Sequence, residues 1–299
     1  MLDQITPLIL TRNEAPNIGR TLAELSWASD IVVLDSFSDD ETLQIVSRFP
    51  LVRVFQREFD SHESQWNFGL KETGIKTEWV LALDADYVLT RDFSTELKTL
   101  LASPDTKGYR AKFIYCIKGT RLTSGIYPPV TVLYRRGDAS YVQDGHTHQL
   151  SLDGRIETMR SPILHDDRKP LSGWLQAQSR YTKLEADKLL SSGPTSLSWT
   201  ARVRRLRIVA PPAMFLYCLI LRGGVMDGWA GFYYAFQRAL AELMLSLYLI
   251  DDDLRISSVD RSQRNRRAAD RKRGISGARE TNLESDPALV YSPERNRAN

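Results

Sequence analysis

The stretch Trp79-Val80-Leu81-Ala82-Leu83-Asp84-Ala85-Asp86-Tyr87-Val88 (WVLALDADYV) joins an apolar run to two carboxylates one residue apart. The apolar part reads as a strand buried on both faces, the pattern of a parallel sheet covered by helices. Packing gives no reason for the carboxylates, which repel each other unless a positive charge lies between them. Alternate residues of an extended chain face one side, so Asp84 and Asp86 are placed to meet one hard cation. A solvated turn after a strand also accounts for two aspartates, so the pair alone leaves both readings open.

Upstream, the sequence alternates short apolar runs with amphipathic ones. ITPLIL, DIVVLD and LVRVF read as strands. Asn17 to Leu25, DETLQIVSRF and Ser64 to Gly74 carry helical spacing. This alternation predicts an α/β fold with a mainly parallel sheet flanked by helices. Ligands in such sheets bind beyond the carboxyl ends of the strands. Three of those ends are polar: Thr11-Arg12-Asn13-Glu14, Asp35-Ser36 and Asp84-Ala85-Asp86. From about Tyr109 the pattern changes. GYRAKFIYCIKG, VTVLYRR and HQLSLDG read as further strands separated by Gly-containing turns, which makes the sheet mixed. Leu171 to Leu190 reads as an amphipathic helix that SSGPTS breaks, and residues 200–250 are apolar and helical.

The 299 residues carry a formal net charge of +3, which excludes an overall polyanion binder and with it a nucleic-acid partner. The positive charge is local: Arg202, Arg204, Arg205 and Arg207 in one cluster, and seven basic residues between Arg261 and Arg273. Cys116 and Cys218 form no ligand-spaced pair, which points to a reducing compartment without structural zinc. The N-terminal MLDQITPLIL lacks the basic region of a secretory signal. No apolar run reaches the ~18–20 residues of a spanning helix.

In order and spacing, PLILTRNEAPNI, IVVLDSFSDDET, SQWNFGL and WVLALDADYVLT resemble the nucleotide-sugar half of glycosyltransferase family 2. YVQDGHTHQL, PILHDDRKPLSGWLQAQSRYTKLEADKLL and LRGGVMDGWAGFYYAFQRAL extend the resemblance to about residue 250, toward a bacterial subgroup that contains lipopolysaccharide-core glucosyltransferases. The resemblance implies a Rossmann-like, glycosyltransferase A type fold and an Asp-x-Asp metal motif. It implies nucleotide contacts from Thr11, Asn13, Glu14, Asp35, Gln65, Asn67 and Asp84. It implies Mn²⁺ or Mg²⁺ held by Asp84 and Asp86. Taken singly, Asn13 and Asp35 also fit a helix cap and a turn residue. Where these relatives carry His followed directly by Glu, this chain has His146-Thr147-His148, so the base is assigned to Asp144 or His146. An Asp-Gly turn is the other reading of Asp144-Gly145.

His146, His148 and His165 lie within twenty residues of one another, with Asp144, Asp166 and Asp167. Imidazoles suit base work or metal ligation. A single histidine is more often a hydrogen-bonded structural residue, and His148 is read as one. Asp166-Asp167-Arg168-Lys169 reads as a charged turn, or as a source of diphosphate contacts from Arg168 or Lys169. RVRRLR precedes IVAPPAMFLYCLIL, and Phe232 to Leu249 has a polar stripe of only Arg238, Glu242 and Ser246. Arg-rich flanks beside apolar helices predict peripheral binding to the anionic cytoplasmic face of the inner membrane. A helical cap or dimer contact is the other reading.

The expected organisation is a nucleotide-sugar half at 1–105, an acceptor and catalytic half at 106–195, apolar helices at 196–255, and a disordered tail at 256–299. The expected activity is inverting transfer of a hexose from a UDP-linked donor to a glycolipid, lipopolysaccharide or exopolysaccharide acceptor. A sugar-phosphate nucleotidyltransferase would need a Gly-rich, basic loop after the first strand, which TRNEAPNIG does not provide. A non-catalytic membrane-bound partner in polysaccharide assembly finds its support in the altered His-Thr-His stretch.

Overall fold

The computed structural model describes residues 2–100, 103–144, 147–191 and 199–280, with side chains described neither at 143, 144, 147, 148 and 199 nor beyond 256. Two compact units are present, 1–249 and 250–299, and the sheets lie in the first.

The N-terminal alternation is strand β1 (Ile5–Thr11), helix α1 (Ile18–Ala23), β2 (Ile31–Asp35), α2 (Thr42–Val46), β3 (Val52–Gln56), α3 (His62–Glu72) and β4 (Trp79–Asp84). A short β5 (Tyr87–Leu89) and α4 (Arg91–Thr99) follow. Next come β6 (Thr106–Ala111), β7 (Phe113–Ile117), β8 (Thr120–Arg121), β9 (Val130–Arg135), β10 (Ala139–Asp144), β11 (Thr147–Leu152), β12 (Arg155–Thr158) and β13 (Ile163–His165). Helices α5 (Leu171–Ser191), α6 (Trp199–Arg204), α7 (Ala210–Leu216) and α8 (Gly228–Glu280) close the chain.

The main sheet runs β12-β6-β9-β4-β1-β2-β3. Strands β3, β2, β1 and β4 are parallel, while β9 is antiparallel to both β4 and β6. The mixed, mainly parallel sheet flanked by helices is therefore present. Strands β1, β2 and β4 are buried on both faces because helices cover both sides. Ile9, Val33, Leu81 and Leu83 pack with Ile18, Leu22 and Phe93 on one face; Leu8, Val32 and Val80 pack with Trp66 and Leu70 of α3 on the other. Chain order reverses between β1 and β4, which opens a crevice at their carboxyl ends. Register aligns Thr11 with Asp35 and Leu10 with Asp84, so the three polar strand ends share one edge.

A second sheet, β5-β13-β7-β8, leans over that edge. It brings His165 opposite Tyr87 and Tyr115. The run GYRAKFIYCIKG is two strands, not one. The chain leaves the main sheet after Ala111 and joins the second at Phe113.

The tail departs from expectation, since α8 continues to Glu280 where disorder was expected from 256; residues 281–299 lie outside the described residues. Low apolar content argues against burial and not against helix, and Arg, Gln, Ala and Lys are good helix formers. Among the described residues no helix is long and apolar enough to cross a membrane.

Candidate nucleotide and metal site

The loop after β1 is tied to the loop after β2. Thr11 Oγ1 donates to Asp35 Oδ1 at 2.9 Å, and Asp35 also accepts from Ser38 N, Ser38 Oγ and Gln56 Nε2. Asp35 is fully buried and Thr11 nearly so. The carboxylate expected to contact nucleotide therefore organises two strand ends in this structure. Asn13 takes a left-handed backbone (φ 55°), accepts from Asp39 N through Oδ1, and gives its own N–H to Ser38 Oγ. Asn tolerates this region better than most residues.

Gln65 is buried and donates to Ser36 Oγ (2.9 Å) and Arg57 O (3.1 Å), so it supports the same loop from α3. Asn67 does something the sequence did not suggest. Its side chain exchanges two 3.0 Å hydrogen bonds with the Tyr141 backbone, which pins β10 to α3. Strand β10 ends at Asp144, paired with Thr147 of β11. The candidate base Asp144 thus sits at a fixed strand end, although its side chain, like all of His146, lies outside the described residues.

Asp84 ends β4 and Asp86 follows one residue later. Asp86 Oδ2 lies 3.1 Å from His165 Nε2, and its carbonyl accepts from Asp166 N. Both side chains are mostly buried, 15% exposed for Asp86 and 14% for His165. Two buried atoms at this site have no hydrogen-bond partner among the described residues: Asp86 Oδ1 and His165 Nδ1. Burial and the charge of Asp86 push the Asp84 carboxyl above its ordinary value. Burial also works against ionised Asp86, but His165 and Lys169 outweigh it and hold its carboxyl low. His165 is raised in turn, since Asp86 and Asp84 outweigh its burial.

Among the described residues no three His, Cys, Asp or Glu side chains are grouped as a complete metal cage. The residues present still fit a divalent ion. Mg²⁺-like sites take one or two carboxylates and fill the remaining positions with water and substrate phosphate. An unpartnered, buried carboxylate oxygen beside a second carboxylate meets that requirement.

Glu14 and Lys169 form the other half of the site. Lys169 Nζ donates to Glu14 Oε1 at 2.5 Å. Burial pushes the Glu14 carboxyl up to about 7 despite the lysine. Asn17, fully buried, bonds Glu14 and Asp167 through Nδ2, and its Oδ1 accepts from Arg20 and the Arg168 backbone. Asp166 is held by Arg20, Arg168 and the Gly119 N–H; Arg168 and Lys169 are thus each paired with an acid, and Lys169 also acts electrostatically on Asp84 and Asp86. Of the two candidate diphosphate cations, Lys169 is the one beside the carboxylate pair. Asn17 and Arg20 were missed by the sequence reading, although their three-residue spacing puts them on one helix face.

An aromatic wall stands behind His165. Tyr127 is 4.4 Å and Tyr115 4.8 Å from the imidazole, ring centre to ring centre. The Tyr127 hydroxyl bonds that of Tyr87 at 2.6 Å. Nothing in the local pattern marked Tyr115 or Tyr127: Tyr115 meets His165 through the pairing of β7 with β13, and Tyr127 reaches it from the loop before β9.

Replacing Asp84 by asparagine is expected to stabilise the metal-free protein at neutral pH. The folded carboxyl titrates above its unfolded value, so its ionised form opposes folding. That cost is full at neutral pH and above, and disappears below the ordinary carboxylate range, near about pH 4. Each tenfold change in proton affinity corresponds to about 1.4 kcal/mol, or about 3–6 °C in a domain of this size. Melting of Asp84→Asn at pH 7.5 and pH 4 measures it. An equal gain at both would assign the effect to packing.

Residues 8–149 match the profile of the family described as Glycosyl transferase family 2. Curated relatives include the lipopolysaccharide core biosynthesis glycosyltransferase LpsC of Rhizobium meliloti (strain 1021), 24% identical over 244 residues, 76% of this chain and 85% of that protein. An uncharacterised glycosyltransferase of Rickettsia bellii (strain RML369-C) is 24% identical over 205 residues, 64% of this chain and 69% of the other. Among solved structures, S. aureus TarS 1–349 in complex with UDP aligns at 14% identity and a TM-score of 0.42, over 85% of this chain and 92% of that one.

Proposed function

Because residues 8–149 are a glycosyltransferase family 2 domain, we propose that this glycosyltransferase moves a hexose, with inversion, from a UDP-linked donor to a saccharide of the cell envelope. The observation that carries the reading is the meeting of Asp84, Asp86, His165 and Lys169 at the carboxyl ends of β1 and β4, with one Asp86 oxygen unpartnered. The relative LpsC acts in lipopolysaccharide core biosynthesis by its name, and that supports the acceptor class.

Asp86, with Asp84, would hold a divalent ion, Mn²⁺ or Mg²⁺, and His165 stands beside it. When bound, such an ion neutralises the negative charge of the diphosphate. Lys169 adds a positive charge to the same place. The Glu14 carboxyl, near 7, can take up a proton when phosphate draws the lysine away. The acceptor hydroxyl then forms the new bond to the anomeric carbon as the bond to phosphate breaks and its electron pair leaves with the diphosphate. The hydroxyl proton goes to a base, either Asp144, which ends β10, or His146. The reading is tested by incubating the protein with Mn²⁺ and a panel of UDP- and GDP-sugars and following slow donor hydrolysis. Release of UDP from one UDP-hexose is expected. Hydrolysis of GDP-sugars alone would overturn the nucleotide assignment.

The same proposal includes a membrane surface. The arginine cluster is not all available for it: Arg204 pairs with Glu242 (2.6 Å) and Glu185, and Arg205 bonds the Leu189 carbonyl. Glu242 and Ser246, two members of the polar stripe, are buried. Instead α8 turns Trp229, Phe236, Leu243 and Leu247 outward, joined by Ile208, Leu221 and Met226 from the preceding segment. Trp229 is 88% and Met226 86% exposed. A helix with acid inside and aromatics outside suits contact with lipid, with Arg202 at hand for anionic headgroups. The protein is expected to sediment with anionic vesicles, to be partly released by salt, and to lose about tenfold in partition with Trp229→Ala. Equal binding to neutral vesicles would remove the charge contribution.

A further inference from the structure

The cavity on the far side of the aromatic wall is lined by two arginines and no acid. We propose that it is an acceptor subsite for an anionic saccharide, a sugar ring carrying a phosphate or a carboxylate; this rests on the glycosyltransferase reading above. The cavity has a volume of about 470 Å³, room for a sugar or two. Its walls come from Phe113, Ile114 and Tyr115 of β7, from Arg121 and the loop after β8, and from Arg222.

Tyr115 connects it to the chemistry. Its ring lies 4.8 Å from His165, and His165 reaches Asp86 at 3.1 Å. A ligand against Tyr115 is thus linked to Asp86 through two rings, Tyr115 and His165.

The loop that closes the cavity is built in place. Asp227 accepts from the N–H and hydroxyl of both Thr123 and Ser124, at 2.6–3.1 Å, so this carboxylate is occupied in holding the loop. Ile126 N donates to the Tyr234 hydroxyl (3.1 Å), and Arg222 Nη2 donates to Gly125 O (3.0 Å). A Cβ at Gly125 would fall 2.9 Å from that of Tyr115, so the loop lies directly on β7. Such a wall needs little rearrangement on binding.

Cations outnumber anions around this cavity. Arg121 and Arg222 enter the cavity itself. A third, Arg238, lies close enough to Tyr115 and Tyr234 for its charge to favour their ionised forms, and its buried Nε has no acceptor among the described residues. Guanidinium forks match phosphate and carboxylate, while aromatic and aliphatic walls match the C–H face of a sugar. A neutral sugar would fill the space and leave the charges unmet.

The test is ligand-observed NMR on the full chain with glucose 6-phosphate, glucuronate, glucose and inorganic phosphate. Wild type is compared with Arg121→Gln and with Arg121→Gln/Arg222→Gln; the single variant leaves the Arg222–Gly125 bond intact. Both anionic sugars are expected to bind at least tenfold more tightly than glucose. They should weaken at least tenfold in the single variant and further in the double, with glucose unchanged. Equal binding of glucose, or glucose 6-phosphate binding unaltered in both variants, overturns the proposal. Inorganic phosphate binding as tightly as glucose 6-phosphate overturns the saccharide part of it. Melting with UDP and Mn²⁺ in the same samples reports on the donor side. Its failure in wild type would count against the donor reading and leave the sugar result standing.

Discussion

Asp86→Ala is expected to lower turnover by ~10³-fold or more, in line with loss of several kcal/mol of charge stabilisation at a leaving group. Asp86 is the acid of the pair held ionised by its neighbours, and its buried Oδ1 has no partner among the described residues. The substitution removes both, and also deprives His165 of its 3.1 Å partner. Asp86→Asn separates these effects. It keeps an oxygen for the imidazole but lacks the negative charge that holds a cation, so it should lose nearly as much activity as alanine. Steady-state rates across a Mn²⁺ series provide the measurement. Full activity of Asp86→Asn at saturating metal would leave Asp86 as a support for His165 and nothing more.

The second large effect is expected at the end of β10. Asp144→Asn should lower turnover by ~10²–10⁴-fold, the usual contribution of a positioned base, with UDP affinity retained. The strand is pinned: Asn67 grips both polar groups of the Tyr141 backbone, and Tyr141 stacks on Trp66 of α3 with ring centres 5.4 Å apart. His146→Ala is the companion variant. Loss of turnover there, with Asp144→Asn near normal, transfers the role to the histidine; loss of metal-dependent UDP binding would make His146 a ligand.

The parallel half of the fold was legible because each of its strands is a short, nearly continuous apolar run ending in polar residues. The antiparallel half was less so. Lys112 marks no break by its chemistry, yet the chain changes sheets there. Strands β5 and β13 are three residues each, too short for periodicity to register. Site residues divide in the same way. Asp84 and Asp86 stood out because packing had no use for them. Asp35, Gln65 and Asn67 are expected to contact nucleotide, and in the structure their side chains hold neighbouring protein groups. A polar side chain at a strand end serves loop or ligand with the same hydrogen bonds, and sequence does not distinguish the two. The pairings Arg204–Glu242 and Lys169–Glu14 span 38 and 155 residues, beyond the reach of any local pattern. The first of them turned an expected lipid contact into an internal one.

Thermal melting of the full chain with Mn²⁺ and UDP, each alone and together, bears most directly on the claim that the carboxyl ends of β1 and β4 hold a nucleotide through a divalent ion. Ligand at about 100 times its Kd stabilises by about 2.7 kcal/mol, which in a domain of this size raises the melting temperature by several degrees. The account predicts that rise for wild type only with both present, and its absence in Asp86→Ala. The same rise in Asp86→Ala, or none in wild type, would contradict it.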